Sequence, residues 1–135
     1  MSYATSSEIA AIVRNYAYVL VGSFFFPLMV VAHIVARKRR RELGGIGSSH
    51  YDLQFITTSI ALVATVVFFS IGATILFGFN SSSSLQQAHE RIRFIFLLNA
   101  NWLVVLWVSV RSIRGLYLAA SSKPVQRPKT LWVWP

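Results

Sequence analysis

The sequence contains no cysteine and only four acidic residues among its 135 positions. Without cysteine there are no disulfides, thiolate nucleophiles, iron–sulfur clusters or cysteine-ligated zinc sites. The acids lie outside the long apolar stretches, so no pair of carboxylates is placed for acid–base or two-metal chemistry. We find no Ser-His-Asp arrangement either, and we expect that the protein is not an enzyme. The four acidic residues are Glu8, Glu42, Asp52 and Glu90.

Charged residues of both signs are scarce, and hydrophobic residues make up more than half of the sequence. Only 13% of the residues are charged and 55% are hydrophobic, whereas about a quarter of a soluble domain is charged. The apolar residues must therefore face lipid or other protein. The composition predicts an all-α integral membrane protein.

Three apolar blocks stand out, at residues 15–36, 53–79 and 94–110, and the predicted spans are about 15–36, 53–79 and 94–113. A span needs about 20 residues, because a helix rises about 1.5 Å per residue and the hydrocarbon core is about 30 Å thick. We therefore predict three transmembrane helices in one domain over residues 1–120. Pro27 lies midway along the first of them and predicts a kink there. Residues 121–135, which contain three prolines, predict an extended tail.

The positive residues predict how these helices are oriented. With the N-terminus outside, ten Lys and Arg residues lie in the cytoplasm and three lie outside, as the positive-inside rule favours. We therefore predict an N-out, C-in protein with a cytoplasmic tail. Basic residues next to apolar blocks bind anionic headgroups more often than nucleic acid, and we expect no nucleic-acid partner. The predicted headgroup-binding residues are Arg37, Lys38, Arg39, Arg40, Arg41, Arg111 and Arg114.

Two polar residues, Asn99 and Asn101, lie near the centre of the third apolar block. They are about 200° apart around a helix, so we predict that they contact different helices. Hydrogen bonds between membrane helices contribute about 0.6–2 kcal/mol. A ligand contact is the alternative interpretation. In the tail, Trp132 and Trp134 are predicted to sit at the headgroup level or to dock onto a partner.

No metal site or resident cofactor is predicted, although bound lipid is expected. The three histidines are His33, His50 and His89, and they do not share one depth in the predicted arrangement. A haem held between two of them is therefore disfavoured. His33 is a candidate axial ligand to a pigment or haem that is shared with a partner.

Two short motifs resemble those of a known family. The first motif is a Ser-His-aromatic pattern with a later Gln and Thr, and it leads from a cytoplasmic turn into a span. The second motif is Arg-x-x-Arg-Gly, and it ends the last span. The chain thereby resembles, over about residues 12–134, small bacterial membrane proteins that are similar to bacterial relatives of a chloroplast inner-envelope translocon subunit. The resemblance implies a bacterial inner-membrane location and no established activity. Ile56 departs from the family, which usually has an Arg there. The motif residues are Ser49, His50, Tyr51, Gln54, Thr57, Arg111, Arg114 and Gly115.

Three hypotheses for the function follow from these observations. The first is a non-catalytic accessory, assembly or scaffolding subunit of a larger membrane complex, with lipids and other membrane subunits as partners. The second is a small homo-oligomeric pore, transporter or translocon-like channel, lined by Asn99, Asn101 and the hydroxyl residues of the second apolar block. The third is a pigment- or haem-associated membrane subunit.

Overall fold

The structure is a computed structural model that describes residues 5–78 and 83–131. Over these residues the chain forms four α-helices, which confirms the all-helical prediction. Residues 121–131 follow the last helix without regular structure. The helices are α1 (Ser6–Gly22), α2 (Phe26–Glu42), α3 (Gly45–Phe77) and α4 (Ser84–Ala120).

Local signals explain where α1 and α2 begin and end. Thr5 and Glu8 form a capping box: the Thr5 hydroxyl accepts from the Glu8 amide, and the Glu8 carboxylate accepts from the Thr5 amide at 2.9 Å. At the other end of α1, Gly22 lacks the Cβ that would collide with the backbone of Met29 in α2. Pro27 lies in the first turn of α2, where a missing amide proton removes no helical hydrogen bond.

The first apolar block does not form one helix. The chain reverses over Ser23–Phe25, and the Asn15 side chain donates to the Ala32 carbonyl at 3.2 Å; in a continuous helix these residues would be about 25 Å apart. The prediction of a single kinked helix over 15–36 is therefore wrong. Pro27 starts a second helix because a proline suits a first turn better than a helix interior. We call α1 and α2 the N-terminal hairpin.

The long helices α3 and α4 run antiparallel and are candidate membrane spans. They contain 33 and 37 residues, and both are long and apolar enough to cross a bilayer. Only 11% and 6% of the residues in their most apolar 18-residue stretches are buried, whereas the core helix of a soluble protein would be mostly buried. Two apolar, exposed helices of this length point to a membrane location.

The N-terminal hairpin covers one half of the α3–α4 pair. One cluster of buried residues includes Ile12, Tyr51 and Ala119, and a second includes Val19 and Val108. Beyond these clusters, Gly72 is the one buried residue within 62–78 and 83–107. We call those two segments the distal half, and the rest of the described chain the base.

Candidate functional site

The base has a polar interior. Burial of a polar group is costly unless the group is hydrogen-bonded, so the partners of these side chains indicate what each residue can do. We call the residues Asn15, Tyr16, His50, Gln54, Thr57 and Arg111 the base network; each of them is at most 1% exposed.

Two amide side chains join α1, α2 and α3. The Asn15 Nδ2 atom donates to Gln54 Oε1 at 2.6 Å, as well as to the Ala32 carbonyl. Gln54 Nε2 donates in turn to the Ile12 carbonyl at 3.1 Å. The Asn15 Oδ1 atom is buried and accepts no hydrogen bond from the described residues. These contacts fix the N-terminal hairpin to the first half of α3.

His50 joins α1 to the tail. Its Nε2 atom lies 2.9 Å from the Lys123 carbonyl, and its Nδ1 atom lies 3.1 Å from the Tyr16 hydroxyl. A carbonyl only accepts, so Nε2 carries a proton, and in a neutral ring Nδ1 then accepts from Tyr16. The two rings meet edge to face, with centroids 5.9 Å apart. Both nitrogens of the imidazole are therefore occupied.

Arg111 of α4 is buried between α3 and the tail. Its Nε atom donates to the Thr57 hydroxyl at 2.8 Å, and its Nη2 atom donates to the Pro128 carbonyl at 3.1 Å. The guanidinium also lies 5.2 Å from the Trp107 ring centroid, within range of a cation–π interaction. At 1% exposure, Arg111 is enclosed by its partners within the chain. The predicted binding of Arg111 to a headgroup stays a prediction.

The structure brings the two predicted motifs together. Thr57 contacts Arg111, and the Ser49 hydroxyl accepts from the Val125 amide at 3.2 Å. Gly115 has no room for a Cβ, because a Cβ there would collide with the phenol ring of Tyr16. Tyr51 is buried in the cluster around these residues, and Arg114 is partly buried on α4.

The sequence analysis missed two members of the base network, Asn15 and Tyr16. Asn15 gave one usable signal, since it is an amide at the edge of an apolar block and a buried amide needs a partner. Tyr16 gave none, because an aromatic residue in an apolar block equally suits a lipid-facing position.

The predicted headgroup cluster at the end of α2 lies on the surface of the base. Arg37, Lys38, Arg39 and Arg41 are exposed. Arg40 is partly buried; its guanidinium lies 3.8 Å from the Asp52 carboxylate and 3.7 Å from the Phe55 ring centroid.

His33 lies close to this surface, on α2. Its Nδ1 atom is 2.9 Å from the Thr58 hydroxyl, and its ring stacks on Phe55 with centroids 4.8 Å apart. Within residues 5–78 and 83–131, no three His, Cys, Asp or Glu side chains form a group that could hold a metal ion. The axial-ligand role of His33 stays a prediction.

The two central asparagines lie in the distal half. The Asn99 side chain donates to the Ile95 carbonyl of its own helix at 2.9 Å, and it is exposed. Asn101 instead lines a groove between α3, α4 and the tip of the N-terminal hairpin. The predicted contacts with other helices stay a prediction. Trp132 and Trp134 lie outside the described residues.

The part of the tail that the structure describes folds back along the helices. Besides the contacts of His50, Ser49 and Arg111, the Trp107 ring nitrogen donates to the Leu131 carbonyl at 3.1 Å. Polar side chains of α3 and α4 thus hold the tail by its main chain.

No family model, curated protein or solved structure matches the chain. Most donors and acceptors of the base network bond to one another or to backbone groups, an arrangement that fixes the positions of all four helices and the tail.

Proposed function

We propose that the protein is a non-catalytic accessory, assembly or scaffolding subunit of a larger membrane complex in the bacterial inner membrane. The observation that carries this proposal is the contrast between a base whose buried polar groups mostly bond to one another or to backbone and a distal half whose apolar surface is bare. A histidine with both nitrogens occupied and a buried arginine that holds the tail are suited to structural roles. The bare helices are suited to contact with lipid or other subunits.

The proposal includes a specific membrane arrangement. Helices α3 and α4 cross the bilayer, while the N-terminal hairpin enters from the base side and turns back within it. Each hairpin helix has 17 residues, about 25 Å and less than the roughly 30 Å of a hydrocarbon core. The turn carries Phe24, Phe25 and Phe26, which are 71%, 57% and 45% exposed. Three neighbouring exposed phenylalanines are suited to lipid.

In this arrangement both ends of the described chain lie on the base side, which replaces the N-out arrangement. Of the 13 basic residues, all but Arg91 and Arg93 then lie on that side. Eleven basic residues on one side and two on the other are more asymmetric than the ten and three that an arrangement with three full spans gives. The positive-inside rule therefore supports a cytoplasmic base. The exposed basic cluster at the end of α2 is then placed to meet anionic headgroups.

The pore hypothesis has less support. Its proposed lining residues in α3 bond to their own helix: Thr65 to the Ala61 carbonyl, Ser70 to the Val66 carbonyl, and Thr74 to the Ser70 carbonyl. Hydroxyls that are satisfied in this way do not by themselves form a water-filled path. A haem-associated role also has little support, because a nitrogen of His33 and both of His50 face protein partners.

Purification of the tagged protein from its native membrane in mild detergent tests the proposal. We expect other membrane subunits to co-purify in fixed stoichiometry, and we expect an absorbance spectrum without pigment or haem bands. An unrelated tagged membrane protein at matched abundance is the control. A monomer without partners would contradict the proposal, and so would a homo-oligomer that makes liposomes permeable to ions.

A further inference from the structure

The distal half contains an apolar groove of about 440 Å³, within the range of ligand pockets. We call it the distal groove. It continues the α3–α4 face on which the N-terminal hairpin packs, and begins where the hairpin stops. The tip of the hairpin forms its floor, and α3 and α4 form its walls. Lining residues include Phe24, Phe68, Ala73, Phe94, Leu98 and Asn101.

The shape of the distal groove limits what can occupy it. A straight helix that crosses the bilayer along this face would collide with the N-terminal hairpin, since the hairpin covers the same face nearer the base. The walls extend to Phe77 on α3 and Phe94 on α4, near the end of the helix pair opposite the base. In the proposed arrangement the groove is open to the leaflet on that side, which we call the far leaflet. An acyl chain of that leaflet has the right polarity and direction of entry.

Two opposite charges lie above the mouth of the distal groove. Glu90 and Arg91 precede Phe94 by one helical turn, and the spacing of four and three residues places them on the groove-facing side of α4. The Glu90 Oε1 atom is buried and has no hydrogen-bond partner among the described residues. The three ion pairs between described residues involve neither Glu90 nor Arg91. A carboxylate and a guanidinium on neighbouring residues of one helix face complement a zwitterionic headgroup.

We propose that the distal groove binds one acyl chain of an aminophospholipid from the far leaflet, with its phosphate at Arg91 and its ammonium at Glu90. This inference rests on the proposed membrane arrangement. The primary ammonium group of an aminophospholipid is positively charged and donates hydrogen bonds to the Glu90 carboxylate. A quaternary ammonium group is charged but has no proton to donate. A glycerol headgroup can donate hydrogen bonds but carries no positive charge. The bound lipid covers the face that the N-terminal hairpin leaves bare.

Native mass spectrometry of the purified protein tests the inference. The protein is incubated with phosphatidylethanolamine, phosphatidylcholine or phosphatidylglycerol of identical acyl chains, and the lipids that survive activation are counted. We expect one phosphatidylethanolamine molecule to be retained several-fold more than either other lipid. Glu90→Gln is expected to abolish this preference and leave some binding, because the groove itself is unchanged.

A matched pair of tryptophan substitutions separates the groove from the general lipid-facing surface. Ala73→Trp fills the distal groove and is expected to remove the retained lipid. Val63→Trp, on an exposed part of α3 outside the groove, is expected to leave it. Equal retention of all three lipids, unchanged in Ala73→Trp, would overturn the inference.

The same variants distinguish this inference from the proposed function. If Ala73→Trp loses the lipid and keeps its co-purifying subunits, both proposals stand. If wild type shows no preferred lipid but Ala73→Trp loses its co-purifying subunits, the distal groove binds a protein segment. The lipid inference then fails and the proposed accessory role stands. If wild type retains phosphatidylethanolamine without any subunit, the accessory role fails alone.

Discussion

The base and the distal half are built from the same two helices but are held in different ways. In the base, α3 contacts the N-terminal hairpin, and α3 and α4 contact the tail, through hydrogen bonds between residues distant in sequence. In the distal half the same helices contact mainly each other, and the side chains of Ser70, Thr74 and Asn99 bond to the backbone of their own helix. The base therefore specifies its own structure, whereas the distal half depends on its surroundings.

Because of this contrast, we expect substitutions in the base and in the distal half to change stability by different amounts. A buried group that loses its partner costs about 1–3 kcal/mol, whereas an exposed substitution usually changes stability by less than about 0.5 kcal/mol. Substitutions in the base should therefore lower the free energy of unfolding, and comparable ones in the distal half should not.

The largest effect is expected for Arg111→Met. The substitution leaves the Thr57 hydroxyl and the Pro128 carbonyl without their donor, so we expect the free energy of unfolding to fall by about 2–4 kcal/mol. The tail should also be released. Unfolding in detergent measures the first effect, and the rate of tryptic cleavage after Lys129 measures the second. Arg41→Met, at an exposed position, is the control; equal behaviour of the two variants would contradict a structural role for Arg111.

A smaller effect is expected for Gly115→Ala. The added methyl group meets the Tyr16 ring, and such overpacking costs about 1–3 kcal/mol. Gly44→Ala is a matched control, because a Cβ at Gly44 meets no atom within 4 Å. Thermal unfolding of both variants measures the difference. If Gly115→Ala is as stable as wild type, α1 and α4 do not pack as closely as described.

The hydrogen bond between Tyr16 and His50 should appear as a coupling in a double-mutant cycle. Tyr16→Phe removes the hydroxyl and is expected to cost about 1 kcal/mol. In a His50→Ala background the same change should cost clearly less, giving a coupling of about 0.5–1.5 kcal/mol. Denaturant unfolding of the four proteins measures it. Additive effects would show that the two side chains do not interact.

The smallest effect is expected for Asn99→Leu. Its amide bonds to the Ile95 carbonyl on an exposed helix face, so its loss should change stability by less than about 0.5 kcal/mol. Asn15→Leu is the matched change in the base; it leaves Gln54 Oε1 without its donor and should cost about 1–3 kcal/mol. Unfolding of both variants in the same detergent provides the comparison. An equal loss from Asn99→Leu would remove the distinction between the two halves.

Part of this fold was predictable from the sequence. Long apolar blocks with few charges predict helices, and the second and third blocks lie mainly within α3 and α4. The reversal at Ser23–Phe25 was not predictable by the same argument, because 22 apolar residues have the length of a span and Pro27 suits either a kink or a helix start. Contacts between Asn15 and Ala32 decide between them, and those contacts depend on packing.

The site was predictable to a lesser degree. The two motifs indicated most of the base network, including His50, Gln54 and Thr57, but not what those residues contact. An arginine at the edge of an apolar block is usually drawn to the headgroups. Arg111 is buried because acceptors 54 and 17 residues away in sequence converge on it, and sequence spacing does not reveal such convergence.

The central claim is that the N-terminal hairpin turns back within the membrane, and labelling of single cysteines tests it most directly. The chain contains no native cysteine, so Ser7→Cys, Ser84→Cys and Ser122→Cys each report one position. Our account predicts that a membrane-impermeant maleimide labels intact cells at position 84 alone, and labels positions 7 and 122 only after permeabilisation. Labelling of position 7 in intact cells, with position 122 still protected, would show that the first apolar block crosses the membrane and would contradict the account.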